Sequence, residues 1–294
     1  MSGERSTMLR RQLLAFTPLL AFAQQTKPIP KRIVSTAPGI TEILFAMGLG
    51  SSVVGVTQYC KYPASVTKLP KVGTWMAPNM EVILSLRPDL VVVQQTAIQN
   101  SAKFEGVGLK TLDVRLDRIA DIFTTVRAIG DSAGVQDRAT RLTSEIQGQL
   151  QDVKRRLGNA RPTPALFVVG RNPGSLEGVI AVGPLSYLDE VISAAGGKNI
   201  LGDARVPYVK VVQEEIVSRN PEVIIDMGEH ADANAISTAQ AQSEIGLWGR
   251  YPTIPAVRNK RVHIVASELF VVPGPRVVEC ARRLAALLHP ELFQ

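Results

Sequence analysis

One stretch of this sequence occurs twice, and this repeat limits the folds that the chain can adopt more than any other feature does. Residues 81–93 read EVILSLRPDLVVV, and residues 214–226 read EEIVSRNPEVIID. Aligned without a gap at a spacing of 133 residues, the copies share a Glu, an Ile, a Ser and a Pro, with conservative matches around them. A carboxylate suits the positive end of a helix dipole, and a proline disfavours helix in the residue before it. Each copy is therefore predicted to be a short helix that ends before its proline and leads into a strand buried on both faces.

The repeat predicts two similar lobes, and a chain of 294 residues is long enough either for two lobes or for one large domain. Short apolar strands alternate with helical segments from residue 32 to residue 114. This order is typical of an α/β fold with a parallel sheet. The alternative is that the repeat is coincidental, because helix–proline–strand connections recur in many α/β proteins.

A long helix is predicted between the two copies, over residues 136–157. Apolar residues recur there at steps of three and four, no proline interrupts them, and Gly158 ends the segment. At 1.5 Å per residue this helix is about 33 Å long, roughly the width of a small lobe. We interpret it as a stiff connection between the lobes, and the alternative is an ordinary peripheral helix.

The first 23 residues read as a signal peptide. Arg10 and Arg11 precede a short apolar run, and residues 21–23 form a small-x-small cleavage site. The run is too short to span a bilayer comfortably, although an uncleaved membrane anchor is the alternative. The paired arginines leave twin-arginine and general export routes open. No cysteine follows the apolar run, which disfavours a lipid-anchored form.

Composition excludes some classes of protein. The net charge is +7, but no cluster of Lys and Arg with interleaved aromatic residues is present, so nucleic-acid binding is not indicated. The only cysteines, Cys60 and Cys280, lack metal-ligand spacing. They are expected to be separate thiols, and the alternative is a disulfide that would join the lobes.

Catalytic patterns are sparse. No nucleophile elbow and no phosphate-binding loop can be read in the sequence. His230, His263 and His289 are far apart, and the last two are expected to be structural. We therefore predict a protein that is not an enzyme and that needs no resident cofactor or metal.

Aromatic residues suggest a binding role instead. Several of them fall in loops at the ends of predicted strands, where they suit a flat and partly apolar ligand held between two lobes. They are Tyr59, Tyr62, Trp75, Tyr208 and Phe270. For each single aromatic residue, core or rim packing is the alternative.

Five segments of the sequence are similar to segments of a known protein family. They are RIVSTAPGITEILFAMGLGSSVVGVTQYCKYP, VGTWMAPNMEVILSLRPDLVVV, LSYLDEVISAAGGKNI, VVQEEIVSRNPEVIID and PGPRVVECARRLAALLHPEL. The chain resembles the periplasmic substrate-binding proteins of ABC importers for cobalamin, siderophores and haem, and its vitamin B12-binding members most. The resemblance implies two Rossmann-like lobes with parallel sheets, joined by one long helix, with a ligand cleft between the lobes. The expected division is a signal peptide (1–23), an N-terminal lobe (24–117), a helical region including the interlobe helix (118–158) and a C-terminal lobe (159–294).

The resemblance also gives the repeated glutamates a role. In this family a surface Glu on each lobe docks onto arginines of the permease dimer in the inner membrane, and by motif position these are Glu81 and Glu214. Two exposed carboxylates on separate lobes would orient the protein on a two-fold symmetric partner. The alternative is that both are helix-start carboxylates that bind nothing.

Ligand contacts carry over from the resemblance at four positions. Tyr59 and Trp75 match positions that pack on the corrin ring in the vitamin B12-binding members. Tyr208 stands where those members have Trp, which is a conservative aromatic change. Glu268 replaces an Asp that accepts polar groups of the ligand.

The chain departs from those members at other positions, which leaves the ligand open. Val272 stands where the vitamin B12-binding members carry Arg, and Gln94 or Gln95 replaces another Trp. A corrinoid is expected, with an Fe(III)-siderophore or haem as alternatives within the family. For haem, Tyr59 and His230 are the candidate axial ligands.

The function implied is that of a monomeric periplasmic carrier, which captures a small-molecule metal chelate and delivers it to an ABC permease. The long helix is expected to limit closure of the lobes on the ligand. One rival is an exported metal-cluster enzyme on the same two-lobe fold, with Cys60, His230 and Glu268 as its only candidate groups. Another is a binding domain that serves a sensor or a scavenging pathway without a permease.

Overall fold

A computed structural model describes residues 28–96, 100–228 and 236–293. The predicted signal peptide and His230 lie outside these described residues. The helices and strands, in chain order, are β1 (Ile33–Ser35), α1 (Pro38–Ala46), β2 (Val53–Val56), α2 (Met80–Ser85), β3 (Leu90–Gln94), α3 (Ala102–Glu105), β4 (Thr111–Val114), α4 (Ile119–Ala133), α5 (Gln136–Leu157), β5 (Thr163–Gly170), β6 (Ile180–Val182), α6 (Tyr187–Ala194), β7 (Gly197–Asn199), β8 (Tyr208–Lys210), α7 (Gln213–Arg219), β9 (Val223–Asp226), α8 (Thr238–Trp248), α9 (Pro255–Arg258), β10 (Val262–Ile264) and α10 (Val277–Leu288).

The first lobe contains a four-stranded sheet in the order β2-β1-β3-β4. All three pairings are parallel, as predicted. The first four residues of β3 are fully buried, which explains why that strand reads as an unbroken apolar run. The sheet therefore has helices and loops over both faces.

The second lobe contains a six-stranded sheet that is only partly parallel. Strand β5 pairs in parallel with β7 and β9, and β9 pairs in parallel with β10. Strand β6 runs antiparallel to β5, and β8 runs antiparallel to β6. The prediction of parallel pairing is thus right for four strands and wrong for two. No sequence pattern predicts β6, β7 or β8, because a three-residue strand is too short to show periodicity.

The two copies of the repeat adopt the same local structure. Each is a short helix, α2 or α7, followed by a buried strand, β3 or β9. The Asn79 side chain caps α2 by accepting a hydrogen bond of 3.1 Å from the Val82 N–H, and Val212 before α7 offers no side-chain cap. Arg87 and Asn220, each directly before the proline of its copy, have φ of 45° and 59°. Both connections from helix to strand therefore pass through a left-handed residue directly before the proline.

The long helix α5 has the predicted bounds, Gln136–Leu157. The helical region before it is a separate helix, α4, which ends at Gly134 with φ of 68°. Helix α5 packs against α4 on the side of the first lobe and against α10 and α6 of the second lobe. It therefore connects the lobes as expected.

The largest apolar cluster runs through both lobes. It joins residues such as Ile40 and Leu116 of the first lobe to Leu188 and Leu269 of the second. Each lobe also has a smaller cluster of its own on the other face of its sheet. The lobes therefore share a core at their junction, which favours a stiff relative orientation. Within the described ranges, none of the helices has the length and apolar character needed to cross a membrane.

Candidate functional site

A cavity of about 780 Å³ lies between the two lobes. On the side of the first lobe its wall follows the carboxyl ends of β1, β3 and β4, which is where open α/β sheets bind ligands. On the side of the second lobe its wall is formed by the start of α6, the start of β8 and the segment after β10. The lining residues are Ala37, Pro38, Gly39, Tyr59, Trp75, Gln94, Thr96, Arg115, Leu116, Asp117, Arg118, Leu185, Ser186, Tyr187, Leu188, Pro207, Tyr208, Glu268, Phe270, Val271, Val272 and Pro273.

The four residues predicted to contact ligand all line this cavity. Tyr59 and Trp75 come from loops of the first lobe and are each 36% exposed, and Tyr208 comes from the second lobe and is 52% exposed. Exposed aromatic rings on facing walls are suited to stacking against a flat apolar ligand. The cavity therefore brings together residues that are up to 209 positions apart in the chain, from Tyr59 to Glu268.

The other two loop aromatics have different roles. Phe270 touches the cavity but is almost completely buried, and its ring packs edge-on against Phe167 at 5.7 Å between centroids. Tyr62 does not line the cavity, and its ring lies 4.1 Å below the guanidinium carbon of Arg276. Core packing therefore explains Phe270, and a cation–π contact explains Tyr62.

Among the positions at which the resemblance implies other residues, some line the cavity and one does not. Val272 and Gln94 line the cavity, whereas Gln95 does not. Val272 contributes an apolar side chain to the wall, and Gln94 contributes a neutral amide. Two of the positions at which the resemblance implies other residues therefore belong to the cavity wall.

Leu185 is a lining residue that sequence reasoning missed. It is 64% exposed, and its φ of 69° lies in the left-handed region, which is unusual for a bulky residue. The next residue, Ser186, caps α6 by accepting a hydrogen bond of 3.2 Å from the Asp189 N–H. Leu185 is thus held in a strained conformation that exposes its side chain at the cavity. Nothing in the sequence around it signals a positive φ.

The rim of the cavity carries charged residues that no sequence motif singles out. Arg115 and Asp117 form an exposed ion pair of 3.1 Å. Arg118 pairs with Glu190 of α6 at 2.6 Å, and the same carboxylate accepts a hydrogen bond of 2.7 Å from the Ile119 N–H. This second contact ties the start of α4 to the second lobe. Arg118 and Glu190 are 72 positions apart in the chain, so this pair leaves no local pattern in the sequence.

Glu268 is an acidic lining residue at the floor of the cavity, where residues 37–39 of the first lobe meet Pro273 of the second. Its Oε1 accepts a hydrogen bond of 3.2 Å from Arg276. Arg276 also donates to Glu42 of the first lobe, with 3.0 Å between its Nε and Glu42 Oε2. Burial raises the pKa of Glu42, and the Arg276 guanidinium opposes that shift. Glu268 is therefore held by a cation that both lobes share.

The two cysteines are separate buried thiols, as expected. The Cys60 Sγ lies 3.2 Å from Thr41 Oγ1 and 3.1 Å from Thr57 Oγ1. Burial raises the pKa of Cys60 and, more strongly, that of Cys280. In residues 28–96, 100–228 and 236–293, no group of three or more His, Cys, Asp or Glu side chains is arranged to hold a metal ion.

The predicted docking glutamates lie in the first turns of α2 and α7, as expected for the repeat. Both Glu81 and Glu214 are exposed. The neighbour of the second, Glu215, is paired with Arg219 at 2.9 Å. Among the described residues, Glu81 and Glu214 form no ion pair, so both carboxylates remain accessible to a partner.

Comparison with known sequences gives a consistent set of relatives. A family model described as periplasmic binding protein matches residues 33–269. The uncharacterized ABC transporter substrate-binding lipoprotein YvrC of Bacillus subtilis is 29% identical over 276 residues, which cover 91% of this chain and 83% of that protein.

Solved structures agree with the sequence comparison. The periplasmic vitamin B12 binding protein BtuF of Vibrio cholerae is 26% identical, with a TM-score of 0.73 over 90% of this chain and 99% of that chain. The periplasmic heme-binding protein RhuT from Roseiflexus sp. RS-1 is 27% identical, with a TM-score of 0.74 over the same shares. Both similarities extend over the two lobes and the cavity between them.

Proposed function

The chain belongs to the periplasmic binding protein family, and from this premise we propose that it captures a flat metal chelate in the cavity between its lobes and delivers it to an ABC permease. The family consists of substrate-binding proteins, which supports a carrier rather than an enzyme. The observation that carries the proposal is the set of exposed rings of Tyr59, Trp75 and Tyr208, which line one cavity from both lobes.

The size and chemistry of the cavity support a chelate of tetrapyrrole type. Its volume of about 780 Å³ lies within the range of small-molecule sites. Rings on both walls suit a planar macrocycle, and stacking on such rings contributes beyond simple area burial. The exposed rings would lose their contact with water when the macrocycle binds.

A corrinoid is the first choice of ligand. The Vibrio cholerae relative is named for vitamin B12, and Glu268 offers a carboxylate to hydrogen-bond donors such as the amide groups of a corrin. Val272 and Gln94 differ from the vitamin B12-binding members and bear on how tightly cobalamin itself is held. The proposal is therefore for a corrinoid, of which cobalamin is one member.

Haem is the second candidate, because one specific observation favours it. The Roseiflexus relative is named for heme at a comparable identity. Tyr59 lines the cavity with a phenol that is suited to axial coordination of iron. An Fe(III)-siderophore stays a third alternative within the family.

Delivery to a permease is proposed from the repeated glutamates and from the relatives. The Bacillus relative is named as a substrate-binding component of an ABC transporter. Glu81 and Glu214 are exposed at the starts of matching helices on different lobes, so a two-fold symmetric permease would meet one carboxylate from each lobe. We infer a monomeric carrier that works in the periplasm after export by its signal peptide.

A titration distinguishes the ligands. The purified protein is titrated separately with cyanocobalamin, haem and a ferric siderophore, and the fluorescence of tryptophan is recorded. The chain has two tryptophans, Trp75 in the cavity and the buried Trp248. Quenching by cyanocobalamin in the wild type, and much less quenching in Trp75→Phe, supports a corrinoid in this cavity. Tight binding of haem alone would show that haem, and not a corrinoid, is the ligand. Binding of none of the three chelates would overturn the proposal.

A further inference from the structure

Two of the five segments on which the family resemblance rests contain residues that neither stack on the proposed ligand nor dock on the proposed permease. They are the segment around APGITE, residues 37–42, and the segment around PGPR, residues 273–276. In the structure these segments meet at the floor of the cavity. A Cβ atom at Gly39 would lie 2.1 Å from the Pro273 carbonyl oxygen, and one at Gly274 would lie 3.0 Å from Glu42 Oε2. Glycine at both positions therefore allows the backbones of the two lobes to touch.

The guanidinium of Arg276 joins the lobes at this point. Its Nε–H donates to Glu42 Oε2 at 3.0 Å, and its Nη2 donates both to Glu42 Oε1 and to Glu268 Oε1. The Glu42 side chain is only 3% exposed, so it depends on Arg276 for its neutralisation. The planar fork of arginine makes this two-sided contact possible, because its N–H groups point in fixed directions.

The arrangement leaves Glu268 with spare acceptor capacity. Two carboxylates share one guanidinium, and Glu42 takes two of its three hydrogen bonds. The described residues offer Glu268 one hydrogen bond only, through Oε1. Glu268 also lines the cavity and is largely shielded from water. A carboxylate at the cavity wall with an oxygen that the described residues leave unbonded can accept a further hydrogen bond, which a bound ligand would supply.

We propose that Arg276 is a positioning residue, which anchors Glu268 to the first lobe through Glu42 and so holds it as the acceptor for a hydrogen-bond donor of the bound chelate. This inference rests on the proposed function, and it deepens it by stating which chemistry the cavity floor selects. Donors such as carboxamide groups would be favoured there. Ionised carboxylates of a ligand would be repelled by Glu268.

The test is a double-mutant cycle on the affinity for cyanocobalamin. Arg276→Lys keeps the positive charge, but an ammonium group is a compact point charge without the planar fork. We expect the affinity to fall on the order of tenfold, a typical loss when a charged hydrogen bond is disturbed. In the Glu268→Gln background, Arg276→Lys should cause little further loss, because Arg276 acts through Glu268. Arg283→Lys in α10, the helix that begins directly after Arg276, is the matched control, because Arg283 forms an exposed pair of 2.9 Å with Glu279, and it should leave the affinity unchanged.

The outcomes separate this role from a structural one. An unchanged affinity in Arg276→Lys, or an equal loss in the presence and absence of the Glu268 carboxylate, would overturn the proposal. Glu42→Gln serves as a second variant if Arg276→Lys fails to fold. It should lower the affinity in the same Glu268-dependent way, because it weakens the anchor from the other side.

A readout without ligand separates failure of this inference from failure of the proposed function. In the free protein, nuclear magnetic resonance can follow the guanidinium signals of Arg276, which should exchange slowly with water and shift in both Glu42→Gln and Glu268→Gln. Signals that do not respond to Glu268→Gln would overturn the positioning role. If the wild type binds none of the three chelates while these signals respond as expected, the proposed ligand class fails and the link from Glu42 to Glu268 stands.

Discussion

Trp75 and Tyr208 hold the same position relative to the repeated helix of their lobes. They are separated by the same 133 positions as the copies of the repeat, and both line the cavity. Each precedes by six positions an exposed glutamate at the start of the repeated helix, Glu81 in one lobe and Glu214 in the other. A single internal symmetry thus relates the aromatic walls of the cavity and the two acidic sites on the surface. The residues proposed for capture of the ligand and those proposed for its delivery therefore occur at matching positions of the same repeat.

The first prediction concerns delivery. Glu81→Ala combined with Glu214→Ala should abolish uptake in vesicles that contain the reconstituted permease, because both carboxylates would be lost from the docking surface. The affinity for ligand should not change, since neither residue lines the cavity. Uptake of labelled ligand and calorimetric titration of the free protein measure the two effects.

Asp137→Ala is the control for this pair. Asp137 is also an exposed carboxylate in the first turn of a helix, but it belongs to α5 and not to the repeat. Uptake should be normal with this variant. Normal uptake by the Glu81 and Glu214 double variant would remove the docking role.

The second prediction concerns the contact between the lobes. Gly39→Ala should lower the free energy of unfolding by about 1–3 kcal/mol, because the added Cβ would overlap the Pro273 carbonyl oxygen and force the backbones apart. Gly148→Ala in the middle of α5 is the opposite case, since nothing lies within 4 Å of the added atom. It should stabilise the protein by about 0.5–1 kcal/mol. Urea unfolding of both variants measures the difference, and a neutral Gly39→Ala would show that the lobes are not tightly apposed.

The third prediction concerns pH. Burial lowers the pKa of His263 from its ordinary value of 6.5, with a smaller contribution from Arg261, and its Nε2 has no hydrogen-bond partner among the described residues. Below pH 6.5 the unfolded chain therefore binds a proton that the folded chain does not bind. Stability from this residue is present above pH 6.5 and is lost as the pH falls from there towards the lower folded pKa.

Replacing His263 removes this titration. His263→Leu should show a flatter dependence of stability on pH than the wild type between about pH 6.5 and the acid limb, where carboxylates dominate in both proteins. Thermal unfolding at a series of pH values measures the difference between the two curves. Parallel curves would mean that His263 titrates normally in the folded protein.

Much of the fold could be predicted because its signals are local. The repeat gave both helix–strand units, and the periodicity of residues 136–157 gave the bounds of α5. Histidines 263 and 289 are expected to be structural, and the first lies in β10 while the Nε2 of the second lies 2.9 Å from the Gly196 carbonyl oxygen. Helices of several turns and strands with long apolar runs contain enough residues for their periodicity to be recognised in the sequence.

The rest depends on contacts between residues far apart in the chain. Strands β6 and β8 pair antiparallel although the lobe is otherwise parallel, and three-residue strands carry no period. The buried network in which Arg171 contacts Asp226 at 2.9 Å joins residues 55 positions apart. Arg276 was part of a quoted segment, but its bond to Glu42 spans 234 positions. Nothing in one sequence links such residues before the fold is known.

A calorimetric titration of the wild type, Trp75→Ala and Tyr208→Ala with the chelate that binds tests whether the ligand lies between the two lobes. We predict one ligand per chain and a loss of about 1–3 kcal/mol of binding free energy in each variant, because each lobe contributes one stacking wall. Met76→Ala, an exposed neighbour that does not line the cavity, should bind like the wild type. If either aromatic variant binds with unchanged affinity, the ligand does not lie between the two lobes and the proposed binding site is wrong.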